Sequence, residues 1–177
     1  MRKLNKTDTA PNFTAKDYLG NVVNLKDYGG DKVLLSFFRG ATCPFCNLRL
    51  SLLIKEYPEF ERRGIKVVAI FAGSMEEISA YGGQQNAPFS IIADPTLELY
   101  KKYGIEESSI GMIKAMMNPI KMIKIMFSGF FNMKSIKDPP IIPADFLINK
   151  DKSIYKAYYG KDFGDHIRIQ EILDWKY

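Results

Sequence analysis

The residues Val33-Leu34-Leu35-Ser36-Phe37-Phe38 form a nearly continuous apolar run. A strand without a polar face has to be buried on both sides, so this run demands a sheet covered above and below. The loop Arg39-Gly40-Ala41-Thr42 follows it. From Pro44 to about Arg63 the period changes: Phe45, Leu48, Leu52, Leu53, Tyr57 and Phe60 recur at three- and four-residue steps, which predicts a helix. Pro44 suits the first turn, Pro58 marks a kink, and Gly64 closes the element. Lys66–Phe71 and Phe89–Ala93 read as further strands. Between them Ser74 and Glu77 have capping-box spacing. Asp94 reads as the cap of a helix from Pro95 to about Tyr103. Asp145–Ile148 and Ser153–Tyr159 read as a hairpin around a turn at 149–152, and His166–Trp175 as a closing helix. Residues 1–9 read as a loose polar arm. The sum is an α/β sandwich around one mixed sheet.

Cys43 and Cys46 are the chain's two cysteines. A chain of 177 residues that is 46% hydrophobic builds its core without disulfide staples, so the pair asks for a chemical explanation. The pair sits where a buried strand hands over to a helix. Backbone N–H groups and the dipole at a helix start favour thiolate, the form that attacks disulfides and peroxides. Two intervening residues let the second sulfur reach the first and resolve a mixed disulfide or sulfenic acid. Pro44 pre-sets the helical backbone between them. A structural zinc site needs about four Cys or His ligands, and the chain holds two cysteines and one histidine, His166. Two inert buried thiols on one helix face are the other bland alternative. The segment Met1–Lys6 leads into Thr7-Asp8-Thr9-Ala10-Pro11 rather than an apolar run, and no stretch approaches the ~20 apolar residues of a membrane span. The expectation is a cytoplasmic protein.

The formal charge is +5, and residues 110–136 carry +4 of it through Lys114, Lys121, Lys124 and Lys134 without an acid. The basic balance is therefore local, and no general nucleic-acid signature is present. The same segment holds Met112, Met116, Met117, Met122, Met126 and Met133 with Phe127, Phe130 and Phe131. Asn118-Pro119 reads as a helix start. The plain reading is a helical hairpin packed over the active site or over a homodimer seam. A second is an adaptable surface for a partner protein. Membrane-surface contact is the weakest of the three.

Several segments resemble, in order, the landmarks of the redoxins: Ala10-Pro11-Asn12-Phe13, Gly20–Asp27, Phe37–Cys46, Ile92-Ala93-Asp94-Pro95 and Pro143–Asp151. Over nearly its whole length the chain resembles the peroxiredoxin-like (alkyl hydroperoxide reductase/thiol-specific antioxidant, AhpC/TSA) group of the thioredoxin fold. The resemblance implies one thioredoxin-like domain over residues 1–177, a three-layer sandwich with a central mixed sheet. It would carry a peroxiredoxin-type N-terminal extension, and the helical insertion would lie at about 108–137. Relative to peroxiredoxins, Cys43 takes the Thr position three before Cys46, Arg39 the Pro position seven before it, and Pro143 lies near the later catalytic Arg. That pattern, like the tail Tyr159–His166, resembles the branch in which Cys-x-x-Cys replaces Thr-x-x-Cys.

The resemblance implies a thiol–disulfide oxidoreductase with Cys43 attacking, as the more exposed sulfur at the helix tip, and Cys46 resolving. Two alternatives stand beside it: a thiol peroxidase with the roles reversed, and a non-enzymatic redox-sensing or protein-binding module. No cofactor is implied. Electrons would come from a thioredoxin- or glutathione-type donor, and the substrate would be a protein disulfide or a peroxide. Pro143 is read as a thioredoxin-like cis-proline, or else as a trans loop proline beside Pro139 and Pro140. Arg39 either steadies a thiolate or reaches solvent. Thr42 takes the place of thioredoxin's Trp before the first cysteine, and Phe37 that of its buried Asp. His166 either relays protons or serves as a cap or surface residue.

Overall fold

The computed structural model describes residues 2–107, 119–130, 135 and 138–176. The strands are β1 (Thr14–Lys16), β2 (Val22–Asn24), β3 (Lys32–Phe38), β4 (Ile65–Phe71), β5 (Ser90–Ala93), β6 (Ala144–Ile148) and β7 (Ile154–Tyr159). The helices are α1 (Pro44–Arg62), α2 (Met75–Ala80), α3 (Glu98–Lys102), α4 (Pro119–Ser128) and α5 (Ile169–Leu173). β1 and β2 form a separate hairpin; the main sheet runs β5-β4-β3-β6-β7. β3, β4 and β5 are parallel, β6 is antiparallel to β3, and β7 to β6. The apolar run thus lies in the central strand, as its lack of a polar face requires.

Two cores flank the sheet. Leu34 and Phe38 of β3 pack with Cys43, Cys46, Leu50, Leu53 and Phe60 of the α1 side. Val33, Leu35 and Phe37 pack on the other face with Tyr100, Tyr103 and Phe146. The alternation follows from the two-residue period of a strand. It places Ser36 on the α1 face, and the register sets Asp145 of β6 directly opposite it.

Several expectations change. The N-terminal arm is docked rather than loose: the Thr7 and Ala10 N–H groups donate to the carbonyls of Ile154 and Lys152. Asp94 does cap, but across a turn. Its carboxylate accepts from the N–H groups of Glu98 and Leu99 at 3.1 and 2.8 Å, and Leu97 is left-handed (φ 59°), so α3 begins at Glu98 rather than Pro95. The closing helix begins at Ile169 rather than His166, because His166 and the Ile167 N–H are both engaged by Asp145. α4 begins at Pro119 as expected and presents Ile120, Ile123, Met126 and Phe127 outward. The rest of the expected insertion, 108–118, 131–134 and 136–137, lies outside the described residues. Among the described residues no helix is long and apolar enough to cross a membrane.

Pro143 is not a cis-proline; among the described residues every peptide bond is trans. Its carbonyl accepts from the Gly160 N–H at 2.9 Å, one rung beyond the Ala144–Tyr159 pair. The backbone therefore enters β6 already extended. A Cβ at Gly160 would run into the carbonyl oxygens of Asp165 and Pro143, both backbone atoms. Gly160→Ala is expected to cost about 1–3 kcal/mol, read as a lowered urea midpoint.

Candidate functional site

The site grows out of the join between β3 and α1. Cys43 is the N-cap residue of α1, in extended conformation, and Pro44 is its first helical residue. A proline there gives up an N–H that would have had no partner. Cys46 lies one turn on. Both are free thiols, and both are fully covered by protein, so Cys43 lacks the greater exposure expected at the helix tip.

The two sulfurs share one environment but are driven apart. The hydrogen bond from the Cys46 thiol lowers the Cys43 pKa most; burial opposes it, and the Cys46 backbone N–H and Arg39 add to the lowering, which brings Cys43 to about 7. Burial, followed by the bond to and charge of Cys43, pushes Cys46 well above its ordinary value. One site thus holds an ionisable sulfur and a protonated neighbour.

Arg39 does not reach solvent. Its Nε donates to the Pro139 carbonyl at 2.9 Å, and its Nη2 to those of Ser135 and Asp138 at 2.7 and 2.9 Å. The guanidinium also lies over the Phe163 ring, 4.3 Å from its centroid. So held, it supplies a fixed positive charge to Cys43. Arg39→Met is expected to raise the pH midpoint of Cys43 alkylation above about 7, followed by iodoacetamide labelling and mass spectrometry. Thr42, beside Cys43, donates through Oγ1 to Asp138 Oδ2 at 2.8 Å. Gly40 leaves the space that Asp138 occupies, since a Cβ there would overlap its carboxylate. Gly40→Ala and Asp138→Ala are therefore expected to release the same contact. Their stability costs, each about 1 kcal/mol, should be markedly non-additive in a double-mutant cycle.

His166 is neither cap nor surface group: its side chain is 4% exposed and its Nδ1 lies 3.1 Å from both Asp145 oxygens. Asp145 itself is fully buried. It also accepts from Ser36 Oγ at 2.5 Å and the Ile167 N–H at 2.8 Å, and Arg49 Nη2 stands 3.8 Å away. The His166 ring lies 5.2 Å from that of Phe38, which packs in the core containing both cysteines. Pro143 is engaged with Gly160 instead.

Arg49 and Asp138 do not stand out in the sequence, where Asp145 reads as an ordinary strand residue. Asp145 did leave a signal, a charge inside an otherwise apolar strand. Arg49 left a weaker one, a cation three residues after Cys46 on a buried helix. Asp138 left none, because nothing local ties it to Thr42.

The AhpC/TSA family model matches residues 7–157. The chain is 28% identical to peroxiredoxin Q, chloroplastic, of Sedum lineare over 111 residues, 63% of this chain and 60% of that protein. It is 28% identical to peroxiredoxin Bcp of Escherichia coli (strain K12) over 113 residues, 63% of this chain and 72% of that protein. The solved structure of peroxidoxin BcpB from Mycobacterium tuberculosis superposes with a TM-score of 0.71 at 15% identity, covering 96% of this chain and 94% of that one. A putative thiol:disulfide interchange protein DsbE from Chlorobium tepidum gives 0.64 at 20% identity, over 96% and 92%. The α/β fold is the thioredoxin-like one that these structures share.

Proposed function

Because the chain belongs to the AhpC/TSA family, we propose that it is a thiol–disulfide oxidoreductase that works through the Cys43/Cys46 couple. The observation that carries this reading is the placement of two free thiols one turn apart at the start of α1, Cys43 as its N-cap residue, with the hydrogen bond between them driving Cys43 toward thiolate and burial driving Cys46 toward thiol. The Cys43 thiolate attacks one sulfur of a substrate disulfide and expels the other as a thiolate. Cys46 then gives up its proton and attacks Cys43 Sγ. That step releases the second substrate thiolate and leaves the Cys43–Cys46 disulfide. Two electrons have passed to the substrate, and a thioredoxin- or glutathione-type dithiol or thiol donor returns them. Pro44 and Arg39 act by position: the first fixes the helix start, the second supplies the charge.

The names of the curated relatives favour a second reading, thiol peroxidase. There a thiolate attacks one oxygen of a hydroperoxide, the O–O bond breaks to leave sulfenic acid and, after protonation, an alcohol or water, and the other cysteine condenses with the sulfenic acid, losing water. Insulin reduction measured beside peroxide consumption, with the same reductant, separates the two. Rapid insulin reduction with slow peroxide loss is the expected result. The reverse would transfer the assignment to peroxidase, and inactivity in both would sink both readings.

A further inference from the structure

A cleft of about 370 Å³ runs beside the first turns of α1, between that helix and the segment leading into α5. Phe45, Leu48, Leu52 and Ile169 form apolar walls; Arg49, His166 and Arg168 supply the polar groups. Among the described residues no acid lines it. The side chain of Arg49 is 8% exposed and that of His166 is 4% exposed, whereas Arg168 is exposed at the rim.

The hydrogen bonding of Arg49 is incomplete. Among the described residues its Nε and Nη2 have no acceptor, and His166 Nε2 has no partner. The nearest carboxylate, Asp145, already receives Ser36, Ile167 and His166, and it lies 3.8 Å from Arg49 Nη2, beyond hydrogen-bond reach. A buried guanidinium with two unpaired nitrogens is costly, and an Nε–Nη2 edge suits a carboxylate bidentately. We propose that this cleft binds an apolar-bodied monocarboxylate, its carboxylate against Arg49 and its hydrocarbon chain along Phe45, Leu48 and Leu52. The ligand class follows from cationic polar groups set among apolar walls, a combination that rejects both a bare hydrocarbon and a polar anion. The cleft adjoins the dithiol through Phe45, which lies between the two cysteines, but the binding does not depend on thiol chemistry.

Octanoate, 1-octanol and octylamine titrated calorimetrically into the full-length reduced protein provide the test. Octanoate should bind saturably and at least about tenfold more tightly than either analogue. Arg49→Met should weaken octanoate at least about tenfold while leaving octanol unchanged. Leu52 is 41% exposed and outside the buried cluster, so Leu52→Glu should fold normally and also weaken octanoate, by like charge in the wall. Should Arg49→Met fail to fold, Leu52→Glu and the analogue series decide. Octanol binding as tightly as octanoate, octanoate indifferent to Leu52→Glu, or the absence of saturable binding (ordered water alone satisfying Arg49) would each overturn the assignment.

Discussion

The Cys43→Ser protein is expected to lose thiol–disulfide turnover to the uncatalysed background, a fall of at least about a hundredfold, while the Cys46→Ser protein is expected to stall as a mixed disulfide with its substrate. The asymmetry follows from the helix start. Cys43 is the N-cap residue with the lowered pKa, and Cys46 is the buried partner with the raised one. Serine at position 46 still offers a hydroxyl to Cys43, so the attacking thiolate keeps a donor and only the resolving step is removed. Mass spectrometry of each variant mixed with oxidised insulin checks this: a covalent adduct is expected on Cys46→Ser. An adduct on Cys43→Ser alone would reverse the roles. The pH dependence has a definite sign. Labelling of Cys43 in the parent, located by mass spectrometry, should rise as pH increases through about 7 and level off above it.

Asp145→Ala is expected to destabilise the protein by about 3–5 kcal/mol, because it leaves the Arg49 guanidinium buried without its counter-charge. Burial pushes the Asp145 pKa up, but His166, Arg49 and the Ser36 hydroxyl together outweigh it and bring the group down to about 2 from the usual 3.8. A folded-state pKa below the unfolded one means that the carboxylate stabilises the fold at pH values above 3.8. That contribution is lost as pH falls toward 2, and it amounts to roughly 2 kcal/mol. Urea unfolding of the parent should show this acid-side loss between about pH 4 and 2, and Asp145→Ala should lack it. Arg49→Met combined with Asp145→Leu removes both charges and should recover much of the lost stability. A double variant as unstable as Asp145→Ala would show that packing, not charge, sets the cost.

Much of the local chemistry was legible along the chain. The run Val33–Phe38 required a strand covered on both faces, and it lies at the centre of the sheet. The Pro44–Arg62 helix followed from apolar spacing, and the Ser74–Glu77 capping box forms with both of its hydrogen bonds. These features depend on residues within a turn or a strand of one another, so sequence spacing is nearly spatial spacing. Boundaries that depend on distant groups were not legible. The late start of α5 reflects Asp145, 22 residues before Ile167, taking the Ile167 N–H. The trans geometry at Pro143 belongs to a ladder with Gly160.

The candidate site divides in the same way. The residue order alone places two cysteines one turn apart at a helix start behind a buried strand, and much of their chemistry is local. Folding sets what surrounds them. It buries both sulfurs, turns Arg39 inward onto three backbone carbonyls, sets Asp138 against Thr42, and gathers Ser36, Arg49, Asp145 and His166 in one buried cluster. Those groups come from β3, α1, β6 and the segments before β6 and α5. Their charges interact only because folding removes the water between them, and a linear spacing does not encode that proximity. The Cys43–Cys46 spacing specified a dithiol; the packing around it set which sulfur ionises.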